Sequence, residues 1–211
     1  MLLRTLKVFI LTIITLMVIS LPEAVSAYET YDYHLKGNWE TGHFYTDKKI
    51  TYNGVQVDYG KDARQAISYW NSAINPISGS SLDIRFTETQ NNTHSSLRVL
   101  IHGIARGDTG WAGITYFHDY NPLTNEWTPL TTGGHPPRNY YAGSAIINST
   151  YMHTLPSYRR INTMMHEIGH ILGLTHSKVK GSLMIGTGSY KSITPPQKDD
   201  KDGVRYIYRY W

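Results

Sequence analysis

The chain has 211 residues, contains no cysteine and carries a formal net charge of +4 at pH 7. This length suits one domain with a real hydrophobic core and is hardly enough for two, and without cysteine no disulfide can stabilise the fold. The charge imbalance is mild and no run of basic residues accompanies it, so we expect no nucleic-acid partner.

The first 27 residues have the layout of a secretory signal peptide. Arg4 and Lys7 precede a mostly apolar run over residues 8–21, and small side chains lead up to Ala27. We therefore predict cleavage after Ala27 and a secreted, extracellular protein with no stable membrane association afterwards. The alternative is an uncleaved membrane anchor, but a run of about 14 residues is short for a bilayer that needs roughly 20.

Residues 28–48 are polar and aromatic without a clear period, and we interpret them as an N-terminal arm before one domain over residues 49–211. Residues 49–52 predict a short strand. After them, apolar residues at helical spacing predict an amphipathic helix over residues 61–75, namely Ala63, Ala66, Ile67, Trp70, Ala73 and Ile74.

Four further strands are predicted in the middle of the chain. Alternating apolar residues favour strands over 81–88 and 97–103, and two more candidates cover 111–117 and 143–150. A segment rich in Pro, Gly and Thr, residues 121–138, separates the last two. Its length indicates a functional loop.

Two helices are predicted near the end of the chain. The first covers residues 157–172, and the second begins after Pro195–Pro196 with apolar residues at i, i+3, i+4 and i+7, namely Val204, Ile207, Tyr208 and Trp211. Strands with one early and two late helices indicate a single α+β domain.

The stretch HEIGHILGLTH, residues 166–176, indicates a metal site. His166 and His170 are four residues apart on a helix and share one face, so both rings can bind one Zn²⁺ at about 2.0–2.1 Å. Gly173 can adopt a positive φ and end the helix, which lets the chain turn back and bring His176 to the same ion. Glu167 follows the first ligand and is placed to hold a water on the metal.

Three protein ligands leave a fourth zinc position open, which is typical of catalytic rather than structural sites. The pattern H-E-x-x-H-x-x-G-x-x-H resembles the signature of metzincin metallopeptidases, and Ser177 is what the matrixin branch carries after the last histidine. Met184, eight residues beyond His176, resembles the Met-turn of that family. The C-terminal segment is also similar, with Asp199–Asp200, Gly203 and Ile207–Tyr208 in matching order.

The resemblance implies a zincin fold of the metzincin type, with a twisted five-stranded mixed sheet, three helices and the zinc in an open cleft. Residues 111–117 would form the edge strand that captures an extended peptide. Met184 would shape the floor of the zinc site without binding the metal. The segment from Gly186 to Ile193 would line the pocket for the side chain that follows the cut.

The chain departs from the matrixin pattern in its other metal sites. The family's structural zinc uses an HGD segment, and residues 106–108 read RGD instead. A second zinc would then have Asp108, His118 and His135 as its remaining candidates, and residues 119–126 offer oxygen ligands for calcium without the glycine of a tight calcium loop. We expect one catalytic zinc and treat a second zinc or a calcium ion as secondary candidates.

The chain also lacks the cysteine with which a matrixin propeptide blocks its zinc. A carboxylate of the arm is a weaker zinc competitor than a thiolate. The arm offers Glu29, Asp32, Glu40 and Asp47, and no motif singles one out. We expect such a short arm to detach readily.

We therefore predict a secreted, monomeric zinc metalloendopeptidase that acts on a peptide or protein substrate. The zinc would activate a water, and Glu167 would accept its proton as general base and pass it to the leaving amine. Two alternatives stay open: a hydrolase of cell-wall peptide cross-bridges, and a non-catalytic secreted protein that binds zinc or a surface. Glu167 argues against the second, because a binding site needs no base beside its first ligand.

Overall fold

The computed structural model describes residues 28–36, 41–47, 49–75, 85–92, 96–131, 133–186 and 191–209. The predicted signal peptide, residues 81–84 of one predicted strand and Trp211 lie outside the described residues. Within the described ranges, no helix has the length and apolar composition that crossing a membrane requires.

A mixed six-stranded sheet organises the fold. Its order is β4-β1-β5-β8-β6-β7, in which β4, β1, β5 and β8 are parallel neighbours and β6 and β7 are antiparallel. The strands are β1 (Thr41–Thr46), β4 (Arg85–Glu88), β5 (Leu97–Ile104), β6 (Gly113–Asn121), β7 (Glu126–Pro129) and β8 (Ala142–Asn148). A separate hairpin joins β2 (Ile50–Tyr52) to β3 (Val55–Val57).

The α+β class is consistent with this structure, but the expected count of five strands is wrong. β7 lies in the segment predicted as a loop, and Trp127 of this strand packs on Tyr120 of β6 with ring centroids 4.9 Å apart. β1 lies in the segment predicted as an arm without regular structure. The sequence of neither strand alternates cleanly between apolar and polar residues, so each strand is defined by its pairing with a neighbour.

The helices follow the predicted amphipathic segments. They are α1 (Tyr59–Ile74), α2 (Ser149–Met152), α3 (Ser157–Ile171) and α4 (Lys198–Ile207). Three are the predicted long helices, and α2 is a single unpredicted turn after β8. Asp58 caps α1, because its carboxylate accepts from the Lys61 amide at 2.8 Å.

The core lies between α1, α3 and the sheet. The indole of Trp70 on α1 donates to the backbone carbonyl of Met165 on α3 at 2.8 Å, and both side chains are buried. A Cβ added to Gly143 of β8 would lie 2.4 Å from Ile171, so α3 rests directly on this strand. The sheet thereby fixes the height and direction of the helix that carries the first two histidines.

A buried ion pair joins α1 to the start of α3. Arg160 Nε lies 2.5 Å from Asp62 Oδ2, and the two side chains are 11% and 3% exposed. The hydroxyl of Ser157 also donates to this carboxylate. Because the ion pair is shielded from water, removing one partner leaves the other charge poorly compensated.

We predict that Asp62→Asn lowers the free energy of unfolding by about 3 kcal/mol, because Arg160 loses its counter-charge in a buried place. Asp58→Ala is the matched control on the same helix and should cost only about 1 kcal/mol, the usual value of a lost N-cap. Urea denaturation of the three proteins measures both. Equal losses for the two variants would contradict the role of the buried pair.

Candidate metal centre

The three predicted histidine ligands come together at the end of α3. The ring centroids of His166, His170 and His176 lie 4.8 to 5.1 Å from one another. One ring nitrogen of each falls within 4.8 Å of those of the other two, which is a spacing that can hold a single metal ion.

Gly173 brings His176 to the other two histidines, as the sequence predicted. It has φ +99°, its amide donates to the His170 carbonyl at 2.9 Å, and the Leu174 amide donates to the Gly169 carbonyl at 3.0 Å. These two bonds form a Schellman motif, which ends a helix and reverses the chain. A side chain at position 173 would be strained by this φ.

The two helical histidines present unprotonated nitrogens to the centre. His166 Nδ1 lies 2.9 Å from the Leu183 carbonyl, and His170 Nδ1 lies 2.8 Å from the Leu174 carbonyl. A carbonyl only accepts, so each Nδ1 carries the proton and each Nε2 keeps its lone pair for a metal. Burial lowers the pKa of His166 to about 4 and that of His170 to about 3, so both rings are neutral at pH 7.

Met184 lies beneath the helical histidines, and a buried carboxylate fixes its turn. A Cβ added to Gly169, between the two helical histidines, would lie 2.3 Å from the Met184 sulfur. The carboxylate of Asp200 on α4 accepts from the amides of Leu183 and Met184 at 2.9 and 3.2 Å. Because the Leu183 carbonyl accepts from His166, Asp200 positions that histidine through the turn. The sequence placed Asp200 in the matching order but gave it no role.

Glu167 is buried beside the histidines and is held from β6. The hydroxyl of Thr115 donates to Glu167 Oε2 at 2.7 Å. A Cβ added to Gly113 would lie 2.7 Å from Oε1, so only glycine leaves room for that oxygen. Burial raises the pKa of Glu167 to about 7, against a smaller lowering by Thr115. Sequence reasoning missed both β6 residues, since nothing along the chain links them to α3.

Two adjoining cavities of about 430 Å³ each share Gly113, Glu167 and His176 as part of their walls. We call them the arm-side and turn-side cavities. The turn-side cavity is further lined by residues of the loop before β6, of α3 and of the Met184 turn, including Trp111, Thr163 and Ile185. The arm-side cavity is further lined by Glu29, Tyr31, Ile114, Thr115, Gly134, His135, His170 and Thr175.

The candidates for a second zinc are not brought together. Asp108 accepts from the Tyr151 hydroxyl, His118 is hydrogen-bonded to Ser144 at 2.7 Å, and His135 packs on Tyr31. Throughout the described ranges, the three histidines of the centre are the one group of three or more potential ligands that converges.

The oxygen ligands proposed for calcium have other partners as well. Both oxygens of Asp119 are engaged by cations, with Lys36 Nζ at 3.2 Å and Arg138 Nη2 at 2.9 Å. These ion pairs hold the pKa of the Asp119 carboxyl below its usual range, although burial opposes them. Residues 122–125 of this segment form the turn between β6 and β7, and its other residues belong to the two strands. The carboxylate at the start of this segment therefore already has its counter-charges.

The matrixin family model matches residues 43–209 of this chain. Matrix metalloproteinase-18 of Xenopus laevis is 28% identical over 45% of this chain and 25% of that protein, so the chain spans about a quarter of the relative's length. The solved structure "GM1 bound form of the ECX AB5 holotoxin" is 16% identical with a TM-score of 0.48, with 86% of each chain covered. The family match includes Glu167 and the three histidines.

We predict that His176→Ala weakens zinc binding, because the variant keeps two of three imidazoles. At a free zinc concentration about 100 times its Kd, the metal should stabilise the wild-type fold by about 2.7 kcal/mol. The variant should lose most of this stabilisation at the same concentration. Chelator competition and thermal unfolding with and without zinc measure the two effects. His153→Ala, outside the centre, is the control; a zinc Kd in His176→Ala equal to that of the control would contradict the assignment.

Proposed function

Because the chain belongs to the matrixin family, we propose that it is a secreted zinc-dependent endopeptidase. Membership in this family indicates a zinc metallopeptidase that acts on peptide or protein substrates. One observation carries the finer proposal: three converging imidazoles stand beside a buried carboxylate on the wall shared by two cavities. Such a site gives a peptide room on both sides of the metal centre.

The residues present fit a zinc ion. Neutral imidazoles are good zinc ligands, and a set of three is typical of zinc sites that keep a position for substrate or water. Both helical histidines donate Nδ1–H to a backbone carbonyl, which is the outer support that zinc-binding histidines usually have. Zinc bound there would supply a Lewis acid that polarises the scissile carbonyl and activates water.

Glu167 is the proposed general base. It would accept a proton from the attacking water at Oε1 and pass it to the leaving amine. A pKa of about 7 suits both transfers at neutral pH, since the group can be deprotonated and reprotonated with little cost. Thr115 holds the other oxygen and so directs Oε1 towards the shared wall of the cavities.

β6 offers a place for the substrate backbone. β8 pairs with one side of this strand from Gly113 to His118. β7 pairs with the other side only from His118 onwards, and the Leu130 amide donates to the Phe117 carbonyl at 2.8 Å. In the described part of the chain, no strand pairs with that side from Gly113 to Tyr116. An extended peptide could add there by main-chain hydrogen bonds, next to Glu167.

Two alternatives make different predictions with the same centre. A hydrolase of cell-wall peptide cross-bridges would cut purified cell wall and spare a panel of unfolded proteins. A protein that only binds zinc or a surface would cut neither. Digestion of both substrates by zinc-loaded protein, with a chelator as control, separates these functions.

We also propose that the protein is a monomer and that residues 1–27 direct its export, as their composition indicates.

We predict that Glu167→Ala retains one zinc per chain and loses hydrolysis by about 10²–10⁴-fold, because the ligands stay and proton transfer is lost. Metal analysis and peptide hydrolysis at saturating substrate measure the two effects. Glu126→Ala, which removes an exposed carboxylate from β7, should leave both unchanged. Near wild-type activity in Glu167→Ala would refute its role as the base.

We predict that the protein is active as soon as its signal peptide is removed. The sequence has no cysteine to place a thiolate on the metal. Freshly secreted protein of confirmed intact mass should hydrolyse peptides without trimming. Activity that appears only after proteolysis of residues 28–48 would show that the arm inhibits the site.

A further inference from the structure

Residues 28–36, which we call the arm segment, are paired with the turn that carries the third histidine. Thr30 forms an antiparallel bridge with Leu174. The Tyr31 amide donates to the Gly173 carbonyl at 2.8 Å, and the Thr175 amide donates to the Glu29 carbonyl at 3.0 Å. The start of the segment is therefore held against the Gly173 turn by an isolated β-bridge and two main-chain hydrogen bonds.

The end of the arm segment is fixed as well. Leu35 is fully buried and bridges Tyr140, and main-chain bonds join Tyr140 to His34 and Lys36 at 3.1 and 2.6 Å. An arm that detaches readily does not match this structure, because its release would break these bonds and expose a core side chain. No pattern in residues 28–36 indicates this pairing, since the segment has no period of its own.

Tyr31 joins the arm segment to the metal centre. Its ring packs on Phe117 and His135 with centroids 5.7 and 4.8 Å away, and its hydroxyl lies 3.3 Å from His170 Nδ1. Burial raises the pKa of this hydroxyl, so it stays protonated. With Tyr31 fixed in this way, the neighbouring Glu29 has a defined place on the wall of the arm-side cavity.

Glu29 brings a carboxylate to that wall. Glu167 is the other carboxylate among the described residues that line the cavity, and it belongs to the catalytic group. Lys178 Nζ pairs with Glu29 at 3.0 Å, but the two side chains are 89% and 47% exposed. Such an exposed pair contributes little, and a cationic group bound in the cavity can replace the lysine.

We propose that the arm segment is a permanent wall of the substrate cleft and that Glu29 selects a basic substrate side chain in the arm-side cavity. The stem of a lysine or arginine would lie along Tyr31 and Ile114, with its cationic end on the Glu29 carboxylate. The selection rests on the proposed peptidase function. It applies to one side of the scissile bond, because the turn-side cavity has no arm residue among its described lining.

The test is a positional peptide library cleaved by the zinc-loaded secreted chain. At one position on one side of the cut, we expect lysine or arginine to be preferred over glutamate by about tenfold, because Glu29 attracts the cation and repels the carboxylate, and these two modest effects add. Glu29→Gln should bring this ratio close to one. Lys178→Ala should raise it, because the competing cation is gone. Asp32→Asn, an exposed carboxylate of the same segment outside the cavity lining, should leave it unchanged.

An unchanged ratio in Glu29→Gln, or equal losses in Glu29→Gln and Asp32→Asn, would overturn the proposal. A binding measurement separates it from the peptidase function. The zinc-loaded Glu167→Ala variant is titrated by calorimetry with pairs of peptides that differ only in lysine or glutamate at one position, and each position is varied in turn. If the wild type cuts no peptide, the peptidase function fails, and the proposal is then judged by this difference in affinity alone. Equal affinities overturn it.

Hydrogen exchange on the intact protein tests the wall itself. The Tyr31 amide donates to the Gly173 carbonyl and the Thr175 amide to the Glu29 carbonyl, so both should exchange about 100-fold more slowly than unstructured amides. Exchange at the rate of an unstructured chain would show that the arm segment is mobile and would overturn the proposal that it is a permanent wall of the cleft.

Discussion

The end of α3 is the constraint on which the rest of the centre depends. A helix leaves its last carbonyls without partners inside the helix, and here they are buried and must be satisfied by other segments. The hydroxyl of Tyr140 donates to the Ile171 carbonyl at 2.8 Å, and that of Tyr208 donates to the Leu172 carbonyl at 3.2 Å. The amide of Tyr31 donates to the Gly173 carbonyl. Tyr140, two residues before β8, the end of α4 and the arm segment thus meet at one turn, and that turn sets the position of His176.

The burial that requires partners for these carbonyls also shifts the pKa values of the nearby titratable side chains. Desolvation favours neutral forms, so it keeps His166 and His170 unprotonated and raises the pKa of Glu167. Neutral imidazoles bind a metal without first losing protons. A carboxyl with a pKa near neutrality can take up and return a proton. One physical cause, an apolar surrounding, therefore suits both the proposed ligands and the proposed base.

Support for the centre comes from side chains that are distant in the sequence. Asp200 reaches His166 through the Met184 turn, and Thr115 reaches Glu167 from the sheet. Packing brings them close: Gly169 allows the Met184 sulfur against α3, and Gly143 allows α3 against β8. A larger side chain at either glycine would push the helix or the turn away. The hydrogen bonds that support the centre therefore depend on the close packing at these two glycines.

The sequence by itself determined what local geometry decides. Four-residue spacing puts His166 and His170 on one helical face, Gly173 permits the left-handed turn that returns His176, and apolar periodicity marks the long helices. Only the tertiary structure decided how β1 and β7 each pair with their neighbours in the sheet, and that Thr115 donates a hydrogen bond to Glu167. It also decided the separation of the candidate ligands for a second metal and the place of the arm segment. These depend on contacts between residues far apart in the chain, and the free energy of each is set by neighbours that a single sequence does not specify. The three converging histidines could therefore be predicted from the sequence, whereas the wall around them depended on how the segments of the chain pack.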